Sequence, residues 1–127
     1  MKRLNGYTIL IVDDDPDILE SFELAMRAEG ATTVTAEDGT EAVSQATASS
    51  PDAVILDMML PKRSGFLVLE ELLSMEHAPI VVMVTANEGK RHMAYATTLG
   101  VAAYLIKPVG LDKLIDTVSC LLHEDEA

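Results

Sequence analysis

A chain of 127 residues with 21 acidic against 9 basic side chains carries a net charge of −12, which argues against sequence-independent binding to nucleic acid or to anionic membranes. Aromatic residues make up only 4% and tryptophan is absent, so the core must be aliphatic, and the length suits one domain that buries about two-thirds of its unfolded surface. The single cysteine, Cys120, excludes an internal disulfide and fits a reducing, cytoplasmic compartment, while the apolar run after Lys2 and Arg3 is cut by three aspartates, too short for a signal peptide or a membrane span.

Residues 8–12 are β-branched and continuously apolar, as in a strand buried on both faces. Pro16 and Asp17 open a helix to about Glu29, with Ile18, Leu19, Phe22, Ala25 and Met26 on one face and Gly30 at its end. A threonine-rich strand, 32–36, precedes a helix over about 40–49 with Ala42, Val43 and Ala46 inward, stopped by Pro51. The third strand, 53–56, ends at Asp57. Residues 61–65 read as a loop, and 66 to about 75 as a helix with Leu69, Leu72 and Leu73 at core spacing. The strongest β pattern, 80–84, leads to a weaker helix over about 90–99, where alternating alanine and threonine blur the period. After a strand at 103–106, the helix 111–122 places Leu111, Leu114, Ile115, Val118 and Leu122 on one stripe. Cys120 is expected there as a small core residue, and 123–127 as a frayed polar tail.

Five strands alternating with five helices predict an α/β domain of parallel strands joined by right-handed crossovers, with helices on both faces. There is no internal repeat, low-complexity segment or linker. Ligands of such sheets gather beyond the carboxyl ends of the strands. Those positions hold Asp13, Asp14 and Asp15, then Asp57, then Thr85, then Lys107 and Pro108. Two of these carboxylates about 4 Å apart repel by roughly 4 kcal/mol at an intermediate dielectric, and a hard divalent cation relieves that repulsion. Oxygen-only ligands favour magnesium or calcium over zinc, and a few protein ligands beside a phosphoryl group favour magnesium. A carboxylate nucleophile, a metal and a lysine are the parts for phosphoryl transfer through an acyl phosphate on Asp57. Singly, each residue has a plainer reading: Asp15 or Asp17 as a helix cap, Thr85 as a β former, Lys107 as a solvated loop residue. Their convergence on one rim outweighs those readings. His77, His92 and His123 are too scattered for a metal cluster and are expected to be solvated.

Residues 9–16 (Ile9 through Asp13, Asp14, Asp15 and Pro16), 54–61 with Asp57 and Pro61, Gly65, 82–86 with Thr85, and 100–108 with Gly100, Tyr104, Lys107 and Pro108 together resemble the receiver domain of two-component response regulators. The resemblance covers nearly the whole chain and implies one receiver domain over 1–127, with a core of about 7–122. It implies the flavodoxin-like (βα)5 fold, a doubly wound sandwich whose five-stranded parallel sheet has order 2-1-3-4-5. It further implies Asp57 as phosphoacceptor and Asp13, Asp14, Asp57 and the backbone carbonyl of Met59 around Mg2+, for which Mn2+ can substitute. Lys107, set by a cis bond to Pro108, would pair with the phosphoryl group, and Thr85 and Tyr104 would form the switch pair.

The implied partners are a sensor histidine kinase or phosphotransfer protein and an unidentified output protein that reads the face of helix four, strand five and helix five. Dimerisation through that face is open, and direct nucleic-acid or membrane binding is not expected. Phosphoryl transfer would be autocatalytic with slow self-dephosphorylation, not turnover of an external substrate. The expected form is a standalone receiver, with an excised piece of a larger regulator or hybrid kinase as the alternative. Val109 and Gly110 depart from the aromatic and acidic residues common there. The resemblance implies that Met59 and Asn87 stand where residues flank the path of attacking water in the family, and a bulky apolar Met59 then predicts a longer-lived phosphoryl group. Two rivals fare worse. A flavin binder needs a small-residue loop where three aspartates stand, and a haloacid-dehalogenase-type phosphatase, for which Asp13 and Asp15 have the spacing, leaves Asp57 unexplained. A degenerate, binding-only receiver conflicts with the intact site residues.

Overall fold

Strand side chains alternate between two faces, and both faces of this sheet are covered. The computed structural model describes residues 2–86 and 89–125. Its strands are β1 (Thr8–Val12), β2 (Thr32–Ala36), β3 (Ala53–Leu56), β4 (Ile80–Thr85) and β5 (Ala103–Ile106). They alternate with helices α1 (Pro16–Ala28), α2 (Gly39–Ser49), α3 (Gly65–Leu73), α4 (Lys90–Leu99) and α5 (Leu111–Asp125). All strand pairs are parallel, in the order β2-β1-β3-β4-β5. This is the flavodoxin-like doubly wound sheet.

The period of two divides the core. Ile9, Ile11, Ile55, Val82 and Val84 face α1 and α5, meeting Phe22, Met26, Leu114 and Val118. Leu10, Val12, Val54, Leu56 and Met83 face α2, α3 and α4, meeting Ala42, Ala46, Leu69, Leu72 and Ala96. Because helices cover both sides, the central strands read as unbroken apolar runs. Leu4, ahead of β1, is fully buried, and its amide donates to the Glu29 carbonyl at 2.8 Å.

Helix ends follow from local chemistry. Asp15 caps α1 by accepting from the amides of Asp17 and Ile18, with Pro16 at the first helical position. Asp38 caps α2 through the Glu41 amide, and Ser64 caps α3 through that of Leu67. Gly100 ends α4 in a left-handed conformation (φ 112°), its amide reaching the carbonyls of Ala96 and Thr97.

Some expectations need correction. Helix α3 ends at Leu73, and α5 runs through Asp125, so residues 123–125 are helical instead of a frayed tail. Cys120 is exposed, because Leu114, Ile115, Val118 and Leu122 define the inward stripe and position 120 lies off it. Leu111 belongs to that stripe by spacing yet is 41% exposed. It sits in the first turn of α5 and lines a surface cavity of about 600 Å³ with Ile18, Phe22 and Pro108 instead of entering the core. The three histidines are exposed, but not idle: His92 stacks on Phe66 with ring centres 5.9 Å apart, and His123 Nε2 lies 3.0 Å from the Arg3 carbonyl.

Candidate functional site

Register assembles the site. Val12 pairs with Leu56 across β1 and β3, so the next residues, Asp13 and Asp57, leave the sheet side by side. Their amides remain tied to it: Asp57 donates to the Val12 carbonyl at 3.0 Å and Asp13 to that of Ala36 at 3.1 Å. Thr85 pairs with Ile106, and the Lys107 amide donates to the Thr85 carbonyl at 2.9 Å. Lys107 thus starts from the same rim. Its ammonium donates to Asp13 Oδ2 at 2.6 Å and to Asp57 Oδ2 at 3.1 Å.

The second oxygen of each buried carboxylate is also engaged. Asp13 Oδ1 accepts from the Asp15 amide at 2.9 Å, and Asp57 Oδ1 from the Met59 amide at 3.0 Å. Asp14 is exposed, yet one oxygen from each of Asp13, Asp14 and Asp57 falls within 4.8 Å of the others. Three hard oxygen donors at that spacing suit a divalent cation. Asp15 stands apart as the cap of α1. The Asp13–Asp15 pair that a phosphatase of the rival type would need is therefore divided between two tasks.

Among the described residues, the three carboxylates of the cluster face the Lys107 ammonium. Asp13 and Asp57 are only 2% and 6% exposed. Burial pushes the Asp13 carboxyl up despite the opposing pull of Lys107. Burial pulls the Lys107 ammonium down, but its hydrogen bonds to Asp13 and Asp57 outweigh that and raise it. The lysine stays charged, and the rim keeps a negative surplus that favours a cation.

The remaining predicted residues surround this cluster. Thr85 is fully buried at the end of β4. Alternation puts it on the same sheet face as Met83, whose partner on β5 is Tyr104. Tyr104 is half-buried, with its hydroxyl 3.9 Å from Met58 Sδ, and burial followed by the charge of Asp57 pushes its phenol up. The Met59 side chain is 62% exposed beside the cluster. The Lys107–Pro108 bond is cis. Val109 packs on the α1–α5 side of the core, and a Cβ at Gly110 would meet open space. Asn87 lies outside the described residues.

Sequence reading gave no role to the glycines around the loop 57–64. A Cβ on Gly65 would stand 2.4 Å from Met58 Cα and 2.7 Å from the Asp57 carbonyl oxygen. Only glycine lets α3 start this close to the loop that carries Asp57. The signal was present, since Gly65 falls in the quoted pattern, but spacing alone does not reveal a close approach.

The sequence profile of the response regulator receiver domain matches residues 9–119. The chain belongs to that family. The transcriptional regulatory protein PrrA of Mycobacterium tuberculosis is 36% identical over 115 residues, covering 91% of this receiver and 49% of PrrA. The receiver spans about half the length of the curated relatives it matches. A CheY-like response regulator receiver domain protein from Methanospirillum hungatei superposes with a TM-score of 0.90 at 28% identity, covering 97% of both chains. The receiver domain of a Pseudomonas aeruginosa sensor histidine kinase, crystallised with magnesium coordinated in its active-site cleft, gives a TM-score of 0.84 at 26% identity, covering 93% of this chain and 98% of that one. Among the described residues, no helix is long and apolar enough to cross a membrane.

Proposed function

We propose that this receiver takes a phosphoryl group onto Asp57 from the phosphohistidine of a sensor kinase or phosphotransfer protein. The observation that carries the reading is the Lys107 ammonium bridging Asp13 and Asp57, with an Asp14 oxygen in the same cluster. An Asp57 carboxylate oxygen attacks phosphorus, the bond from phosphorus to the donor imidazole nitrogen breaks, and that nitrogen keeps the electron pair. The attacking group is the carboxylate anion, so no proton leaves the nucleophile. Lys107, 3.1 Å from Asp57 Oδ2, places a positive charge beside the incoming group, where it offsets charge on the transferring oxygens.

Asp13, Asp14, Asp57 and the Met59 carbonyl fit Mg2+, with Mn2+ able to replace it. The similar Pseudomonas receiver with magnesium in its cleft supports this choice. When bound, the ion would neutralise the crowded carboxylates and phosphoryl oxygens together. Thr85 and Tyr104 then act as the switch: the threonine hydroxyl turns to the phosphoryl group, the tyrosine ring follows, and the surface of α4, β5 and α5 changes for an output partner. The same face is the surface through which two copies of the chain would dimerise. The protein is a phosphoacceptor with slow self-hydrolysis, working in the cytoplasm.

Intact mass after incubation with a small acyl phosphate and magnesium tests the reading. Wild type gains one phosphoryl group and Asp57→Asn gains none. A wild type that stays unmodified, or an equal gain on both proteins, overturns it.

A further inference from the structure

We propose that Gly39, the first residue of α2 and outside the reaction site, is a positioning residue that sets the affinity of the site for its divalent ion. The inference rests on reading Asp13, Asp14, Asp57 and the Met59 carbonyl as the metal site. It concerns how the loop 57–64, which carries two of those ligands, is held.

The inner end of the loop is pinned against α3. The Gly65 amide donates to the Met58 carbonyl at 2.8 Å, and the close approach at Gly65 leaves no room for movement toward the helix. The outer end is pinned against α2. The Gly39 amide donates to the Pro61 carbonyl at 3.3 Å, and a Cβ on Gly39 would stand 2.5 Å from Arg63 Cβ and 2.8 Å from the Arg63 carbonyl oxygen. Two ion pairs tie the same segment down. Lys62, in the left-handed region at φ 69°, reaches the α2 cap Asp38 at 3.4 Å, and Arg63 reaches Glu71 of α3 at 2.6 Å. Between the ends, Arg63 donates to the Pro61 carbonyl at 2.8 Å and Met59 to Asp57 Oδ1 at 3.0 Å.

The atoms facing position 39 are a Cβ and a backbone carbonyl, so no flexible side-chain tip can swing aside. Gly39 also has no left-handed φ, so alanine is excluded by contact alone. An added methyl must push residues 61–63 outward or tilt α2. With Gly65 fixing the other end, the displacement falls on residues 58–60. That segment supplies the ligand carbonyl of Met59 and the amide that orients Asp57. In a close-packed structure such a shift is passed on, not absorbed.

Calorimetric titration of the full chain with magnesium chloride tests this, at a temperature where circular dichroism shows each protein folded. Gly39→Ala is expected to weaken magnesium binding by about fivefold, below the roughly 10- to 100-fold typical of groups bonded directly to metal ligands. Gly39→Ala with Arg63→Gly, which removes the nearer of the two atoms in the way but also the ion pair to Glu71, recovers part of that loss, to about twofold below wild type. Affinity unchanged in Gly39→Ala, or a double variant as weak as the single one, overturns the proposal. Should Gly39→Ala fail to fold, Arg63→Ala is read in its place. It frees the outer end from Glu71 and must weaken binding by about twofold, and unchanged affinity overturns the proposal there too. Wild type that binds no magnesium, or binding that survives Asp14→Ala, defeats the metal site itself and the inference with it.

Discussion

Replacing Lys107 with methionine keeps the length of the side chain and removes the ammonium that bridges Asp13 and Asp57. Both carboxylates are almost wholly buried, so bulk water compensates little for its loss. Breaking a buried pair by removing one partner typically costs about 3–5 kcal/mol. A ceiling follows from proton uptake. Neutralising an aspartate of ordinary pKa near 3.9 at about pH 7 costs roughly 4 kcal/mol, at 1.36 kcal/mol per unit. Burial already raises the Asp13 carboxyl in the intact protein, so part of that penalty is present before the substitution. The expected loss is therefore at the low end of that range, about 3 kcal/mol in metal-free buffer.

Its pH dependence has a definite sign. Without the ammonium, the Asp13 pKa in the folded state rises further above its unfolded value, so the folded state binds more protons and stability falls as pH rises. The deficit relative to wild type should be largest near about pH 7 and smaller near about pH 5. Millimolar magnesium should narrow it, since an ion bound only by the folded state stabilises that state. Urea unfolding of both proteins in EDTA at the two pH values, then with magnesium, measures all three effects. A deficit under about 0.5 kcal/mol, or one that does not change with pH, refutes the electrostatic account of the site.

Asp38 gives a second pH test, on a carboxyl that is lowered instead of raised. The Glu41 amide, and after it Lys62, hold its carboxyl below the usual range, so its stabilisation is complete above the unfolded pKa and lost as pH falls through the folded one. The stability gap between wild type and Asp38→Ala, read by urea unfolding, should shrink in acid, and a constant gap removes the charged cap from the explanation. Leu72→Ala, in the α3 stripe buried against the sheet, should cost about 2–5 kcal/mol, while Leu67→Ala, 52% exposed, should cost less than about 0.5 kcal/mol. Similar losses for the two would mean that α3 presents a different face. Met59→Asn should speed loss of the phosphoryl group, because a polar side chain replaces an exposed apolar one beside Asp57. Phosphate release measured on the loaded proteins checks this, and an unchanged lifetime counts against it.

The central strands were legible because both their faces are covered, which leaves continuous runs such as Ile9 to Val12 and Ile80 to Val84. Asp57 and Lys107 could be placed on one rim from the alternation of elements alone, since parallel strands put all their carboxyl ends on the same side. The misses have physical causes. Leu111 fits its helical stripe by number but sits in the first turn, outside the packed core, and Cys120 is apolar enough to suggest a core that the geometry of α5 denies it. Periodicity describes a helix against a flat neighbour and does not say where the neighbour stops. Gly39 escaped attention because its constraint comes from Arg63, a residue distant in sequence. No local pattern announces such a contact.

All of the acidic cluster and its lysine lie at one end of the strands, while the turns at Gly30, Ser50 and Gly100 close the other end. The molecule has a working rim and a quiet floor, separated by the length of the strands. Attachments made at the floor, such as a dye or surface tether at the exposed pair Glu76 and His77, should leave the chemistry above undisturbed. That makes the floor the natural place to hold this protein while its partners are tried one by one.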